Sequence, residues 1–306
     1  MLTTQARPQQ ITRGILLIVG AMLVTSIQDV VFKLFSNELT LWQIFALRGL
    51  LAVPLLMGLS WVQGIRGGVL TDALKMWPLI RAFFLTLLFV AFYAAVPFVS
   101  LSTLGAGTYI APIFVTLLSA YAISEAVGRR GWTAVFIGFA GVILLLQPGT
   151  DAFSLWAALP VVGALFYALA HIITRTKCQS VPVATLALAL KLVMMSTGLV
   201  VSGVLLVWRP GSGLDQSYPY IFGNWSAVGP SEWLILGILA VLAVVIGMGI
   251  AGAYQTAPPS IIATFEYSYL VFAAIWDYFF FAMAPNSVTV LGIFLIIGAG
   301  LLVLRQ

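Results

Sequence analysis

Charge is scarce in this chain. Only 8% of its 306 residues are Asp, Glu, Lys or Arg, against roughly 25% in a soluble domain. A surface so poor in charge would not stay dispersed in water, so most of it must face lipid. Cysteine and histidine are almost missing too. One cysteine, Cys178, excludes an intramolecular disulfide and a thiolate metal cluster. One histidine, His171, has no second ligand at suitable spacing, so neither a metal nor a cofactor is expected. There is no Walker loop, no catalytic Ser/His/Asp spacing and no room for an ATPase domain. An enzyme is therefore not expected, and any driven process must draw on a gradient. The net charge of +5 does not signal nucleic acid. Its basic residues stand singly or in pairs between apolar runs, as topology signals do.

What is present is apolar: 62% of residues are hydrophobic and 13% aromatic. A membrane-spanning helix needs roughly 17–25 mostly apolar residues. Ten runs qualify: 14–35, 41–62, 76–98, 103–123, 131–147, 153–173, 183–207, 233–254, 261–283 and 288–304. Barrel strands would be about half as long and would alternate in polarity, so the fold expected is all-α and integral to a membrane. The breaks carry turn chemistry at Gln147-Pro148-Gly149, Arg209-Pro210-Gly211 and Ala284-Pro285-Asn286. Pro258 and Pro259 suit the first turn of the ninth run, and Pro112 should kink the fourth. The first run is too long for a signal-peptide core and reads as a retained helix.

With a cytoplasmic N-terminus, one side receives Arg7, Arg13, Arg66, Lys75, Arg129, Arg130, Arg175, Lys177 and Arg305, while the other receives only Arg209. The positive-inside rule then puts both termini in the cytoplasm, and a bacterial inner membrane is the expected location. The long loop 208–232 is external and expected to be partly ordered at best.

The halves repeat. Sliding the chain by 143 positions brings Val19-Gly20-Ala21 onto Val162-Gly163-Ala164, Gln28 onto His171 and Arg48 onto Lys191. Sliding by 158 brings Ser102 onto Ser260, Tyr109 onto Tyr267 and Phe136 onto Phe294. Five spans per half is an odd number, so the second copy enters the membrane inverted. The expectation is two inverted five-helix repeats, 1–149 and 150–306, with a site at their interface, as in secondary transporters.

Ionisable groups inside a bilayer need a partner, a wet cavity or an escape to the interface. Asp29 and Lys33 lie at i and i+4 on one helix face, as a structural ion pair or a pair lining the path. Arg48 and Lys191 lie about two turns inside their spans; each either snorkels or attracts an anionic group such as a carboxylate. His171 and its repeat partner Gln28 are either packing residues or hydrogen-bonding groups of one cavity. Glu266 shares a helical face with Tyr269 and Asp277. It either meets an amine or a proton, or is held by the positive end of its own helix. Tyr93, Tyr109, Tyr267 and Tyr269 lie deep, where a phenol needs a partner, and could shape an apolar pocket with hydroxyl handles. Trp42, Trp77, Trp208 and Trp233 suit interfacial belts. Gly105-Ala-Gly107 and Gly247-Met-Gly249 would let helices approach closely. Cys178 reads as an inert thiol. The partners expected are a small molecule, probed first as an amino acid, and the lipid bilayer, with the protein a monomer that binds no nucleic acid.

The stretch 81–149, with Tyr109-Ile-Ala-Pro112-Ile-Phe-Val-Thr, Ser124-Glu125, Gly138-Phe-Ala-Gly141-Val and Gln147-Pro148-Gly149, resembles the drug/metabolite transporter superfamily and its EamA-type branch. The second copy is similar from Pro259-Ser260 to Gly300, but carries Met283 where the family often has a glutamate. The resemblance implies ten helices in two inverted five-helix repeats around a central cavity, with helices five and ten peripheral. It implies export of amino acids, aromatic ones foremost, or import of molecules such as S-adenosylmethionine or riboflavin. Outside that class stand an integral-membrane enzyme and a passive channel.

Overall fold

The computed structural model describes residues 8–35, 39–65, 68–95, 107–146, 156, 158–208, 218–281 and 287–303. Thirteen helices occupy nearly all of these: α1 (Pro8–Phe35), α2 (Leu41–Val62), α3 (Val69–Ala73), α4 (Met76–Ala95), α5 (Ala111–Ala122), α6 (Arg129–Leu146), α7 (Ala158–Lys177), α8 (Val183–Trp208), α9 (Pro219–Phe222), α10 (Pro230–Thr256), α11 (Pro259–Glu266), α12 (Ser268–Phe281) and α13 (Ser287–Val303). No strand occurs among the described residues. Seven stretches there are long and apolar enough to cross a membrane, the last running from Pro259 to Phe280 across α11 and α12. The chain is a multi-pass, all-helical membrane protein.

Lipid offers the main chain no hydrogen bonds, so helices satisfy their own peptide groups. Hydroxyl side chains follow the same rule by bonding back one turn: Thr86 donates to the Ala82 carbonyl at 2.9 Å, Thr116 to Pro112 and Thr174 to Ala170 at 2.8 Å. Thr40 caps α2 by accepting from the Gln43 amide. Where α5 ends, Ser124 takes a left-handed φ of 54°.

Helices from the first half pack chiefly on helices from the second. The broadest pairings are α1 with α10, α2 with α8, α4 with α7 and α6 with α13. Next come α4 with α8, α10 with α2, α5 with α7, and α1 with α12. The α2/α8 crossing is tight because Gly198 has no side chain: a Cβ there would lie 2.6 Å from the Trp42 carbonyl oxygen. The expected close approaches at Gly107 and Gly249 are present, against Pro160 and Ala21 respectively, while Gly105 lies outside the described residues.

Two expectations about continuity fail in the same way. The fourth run is no kinked helix: Tyr109 and Ile110 form a turn, and α5 begins at Ala111 with Pro112 in its first turn. The ninth run is also two helices, parted at Tyr267. The interruptions fall on tyrosines 158 positions apart. The long loop 208–232 is described in part. Its described part, 218–229, contains α9 and is fastened to α2, so Trp42 is buried and donates to the Ile221 carbonyl at 2.8 Å instead of sitting in a belt. Trp77 and Trp233 are exposed at helix ends as expected, and Lys177 lies 5.2 Å over the Trp77 ring.

Candidate functional site

Glu266 is the last residue of α11, at the C-terminal end of that helix, so the positive end of its own helix does not hold it. Two phenols do. Tyr254 at the end of α10 donates to Oε1 at 2.8 Å, and Tyr167 on α7 donates to the same oxygen at 2.5 Å. His171 lies one turn beyond Tyr167 on the same face of α7. Its ring stacks on Tyr254, with centroids 4.0 Å apart, and meets Tyr167 at 4.2 Å. The imidazole is 1% exposed, and neither nitrogen has a hydrogen-bond partner. No cation contacts Glu266 among the described residues. A buried carboxylate with no counter-charge is costly unless it holds a proton or meets a cation.

A second group surrounds Arg48 on α2. Its guanidinium donates to Gln28 Oε1 at 2.8 Å and to the Leu239 carbonyl at 3.2 Å, and Nε is buried without a partner. Tyr93 on α4 and Lys191 on α8 lie within electrostatic reach of it. Lys191 is buried and pairs with no carboxylate among the described residues. Tyr220 on α9 completes this end. Burial pushes its phenol up, Tyr93 adds to the shift, and Arg48 opposes it.

Between these groups, Asp29 on α1 accepts from Tyr269 on α12 at 2.5 Å, and the Tyr269 ring stacks on Tyr109 at 5.5 Å. Trp276 donates to Ser26 Oγ at 2.9 Å and ties α12 to α1. The side chains of Lys33, Asp277 and Trp208 lie outside the described residues, so the Asp29–Lys33 pair does too.

The residues singled out from sequence thus divide. Glu266 and His171 come together, as do Arg48, Gln28, Tyr93 and Lys191, and Asp29, Tyr269 and Tyr109. Gln28 and His171 join different groups. Tyr267 stands apart: it is fully buried against Gly138 of α6, with its hydroxyl unpartnered. Sequence reasoning missed Tyr167 and Tyr254, although Tyr167 at four residues before His171 was a usable signal. It also missed Arg81, a lone arginine in an apolar run. Arg81 is buried between α7 and α8, donating to Thr174 Oγ1 at 2.7 Å and to the Leu186 carbonyl at 3.3 Å. Beside it Cys178 is buried, and burial pushes its thiol up while Arg81 pulls it down, which suits an unreactive thiol.

At the end of the bundle near α5, Ser260 donates to Glu125 Oε1 at 2.6 Å. Burial pushes the Glu125 carboxyl above its ordinary value, against the hydrogen bond from Ser260 and the charge of Arg175. Arg175 and Gln255 add bonds nearby: Arg175 donates to the Gln255 carbonyl at 2.8 Å, and Gln255 donates to the Cys178 carbonyl at 2.6 Å. No group of three or more metal-ligating side chains occurs among the described residues.

Known proteins resemble the chain over most of its length. Residues 12–147 match the EamA-like transporter family. A riboflavin transporter of Vibrio cholerae is 25% identical over 186 residues, 61% of this chain and 56% of that protein. The chain therefore aligns with little more than half the length of that relative. A pseudopaline exporter of Pseudomonas aeruginosa is 24% identical over 290 residues, 94% of each chain. A solved crystal structure superposes with a TM-score of 0.76 over 95% of this chain and 97% of its own, at 15% identity, which bears on the fold alone.

Proposed function

Given that the chain belongs to the EamA-like branch of the drug/metabolite transporter superfamily, we propose that it is a secondary transporter that exports aromatic or neutral amino acids by alternating access. One observation carries this reading. Among the described residues the bundle holds an acid, Glu266, that no cation touches, and two cations, Arg48 and Lys191, that no carboxylate bonds, although Asp29 lies within electrostatic reach of Arg48. An amino acid brings the missing partner to each: its ammonium to Glu266 and its carboxylate to Arg48 or Lys191. Tyr93, Tyr109 and Tyr269 shape the apolar part, and Gln28 and His171 add hydrogen bonds.

The architecture that goes with this reading is ten spans in two inverted repeats, 1–149 and 150–306, with the interface between them as the site. The packing supports it. Under the repeat, α1 against α10 corresponds to α7 against α4, and α4 against α8 corresponds to α10 against α2; both members of each pair occur. The shared interruption at Tyr109 and Tyr267 supports it as well. The distribution of Arg and Lys supports cytoplasmic termini in a bacterial inner membrane. The working form is a monomer.

Counterflow with purified protein in liposomes tests the proposal. Preloaded L-phenylalanine should drive saturable uptake of labelled L-phenylalanine. Flux of riboflavin without amino-acid flux would favour an importer of a larger metabolite, in keeping with the name of the Vibrio relative. Flux that never saturates would favour a channel.

A further inference from the structure

The stretch between α8 and α10 is where the two halves differ in length. The register that aligns them changes from 143 to 158 across it, a difference of 158 − 143 = 15 residues. A loop added to one copy has no reason to be ordered unless something holds it. The described part, 218–229, is held firmly. Gln43, fully buried at the start of α2, clamps Ser226 with both ends of its amide: Nε2 donates to the Ser226 carbonyl at 2.7 Å, and the Ser226 amide donates to Oε1 at 3.1 Å. Trp42 donates to the Ile221 carbonyl at 2.8 Å, and Trp225 donates to Ser202 Oγ on α8 at 2.8 Å. The fastening therefore spans both α2 and α8, the helices that carry Arg48 and Lys191. It lays Tyr220 and Ile221 on the core that also holds Leu41, Trp42 and Phe45, with Tyr93 packed on the same core. The phenol of Tyr220 lies within electrostatic reach of Arg48, whose Nε has no hydrogen-bond partner.

We propose that segment 218–229 completes the binding site at its outer end, with Tyr220 closing over the group that Arg48 and Lys191 hold and acting as a specificity-determining residue for a carboxylate-bearing solute. This rests on the transport reading for its ligand and on the geometry of the clamp for its closure. Arginine and lysine together attract an anion, and a phenol can donate to a carboxylate oxygen that the cations leave free. The amide clamp fixes where that phenol stands, so the added loop acts as a fixed wall of the site.

Two measurements on the full-length protein separate the parts of the proposal. In a Cys178→Ser background, Tyr93→Cys is labelled with a charged, impermeant methanethiosulfonate, added to each side of membrane vesicles in turn. Adding Gln43→Ala or Tyr220→Ala should speed labelling from one side by about tenfold, as loss of a hydrogen-bonded closure worth a tenfold equilibrium shift would. Equal rates in monodisperse parent and variants overturn the closure. In liposomes, Tyr220→Phe keeps the ring and removes the donor. The KM for L-phenylalanine should rise about tenfold, the scale of one hydrogen bond to a charged group, with little change in kcat. An unchanged KM, or a fall in kcat alone, overturns the contact. If the parent carries no L-phenylalanine, the transport reading fails, and the labelling rates still decide whether 218–229 closes the outer end.

Discussion

Around Glu266 both phenol hydrogens point at the acid. Two phenols bond one carboxylate oxygen, and an imidazole stacks on both rings. Around Arg48 the bonds are spread thinly: one amide, one main-chain carbonyl, an idle Nε and a neighbouring cation. The acid end is the more closed network, with only the imidazole nitrogens idle, and the cation end the more open one. In low dielectric a closed network is rigid, and an open one is costly until something arrives to complete it. The contrast also concerns charge. Glu266 is held by neutral partners and touches no cation among the described residues, while Arg48 has the Asp29 carboxylate within electrostatic reach but not bonded to it. A solute that carries an ammonium or a carboxylate finds a ready partner in such an arrangement; a neutral apolar one gains nothing from it.

Swapping the charges one at a time is the strongest way to break that contrast. Glu266→Gln should lower L-phenylalanine counterflow by about a hundredfold, the scale of an unpaired buried charge. Inhibition by 3-phenylpropionate, which has no amine, should hardly change. Arg48→Gln should weaken L-phenylalanine to a similar degree and spare 2-phenylethylamine, which has no carboxylate. If both variants affect both inhibitors alike, the two ends are not separate subsites.

A smaller effect confined to one end sharpens the comparison. In Gly198→Ala the new methyl meets the Trp42 carbonyl at 2.6 Å and the Ala46 amide at 2.8 Å, so α2 and α8 must separate. Stability should fall by about 1–3 kcal/mol, as for other overpacked positions. Thermal unfolding in detergent would measure it.

The smallest effect lies outside both groups. Burial pushes Glu125 above the ordinary glutamate value of 4.5. The folded protein therefore holds this proton more tightly than the unfolded chain does. The stability so gained is complete below that ordinary value and is lost as pH rises through the raised one. Glu125→Gln should flatten this part of the curve of melting temperature against pH, and it should keep the bond from Ser260, because the amide oxygen still accepts. A Gln variant with an unaltered slope would place the titration elsewhere.

Helices, their lengths and the lipid around them were legible in the sequence because apolar runs are a local property. The charged members of the site were legible for the same reason: Glu266, Arg48 and Lys191 stand out in apolar surroundings. Their partners were not. Tyr167 and Tyr254 look like ordinary aromatic packing until three helices bring both hydroxyls to one oxygen. Arg81 carried a clear local signal, but its partner Thr174 lies on another helix. The helix interruptions left no mark at the point of breakage. Pro112 lies just past the first, and Pro258 and Pro259 lie more than two turns before the second. The order of 218–229 depends on Gln43, whose amide reads as a harmless polar residue at a helix start. In each case the determining contact joins residues far apart in the chain.

The interruption at Tyr267 has a mechanical meaning. A continuous rod passes any tilt from one end to the other, whereas two short rods meeting at a joint do not. Trp276 moors one arm to Ser26 on α1, while the other arm ends at Glu266 and its phenol partners. A load on either arm is therefore taken up by different neighbours and is not levered onto the other.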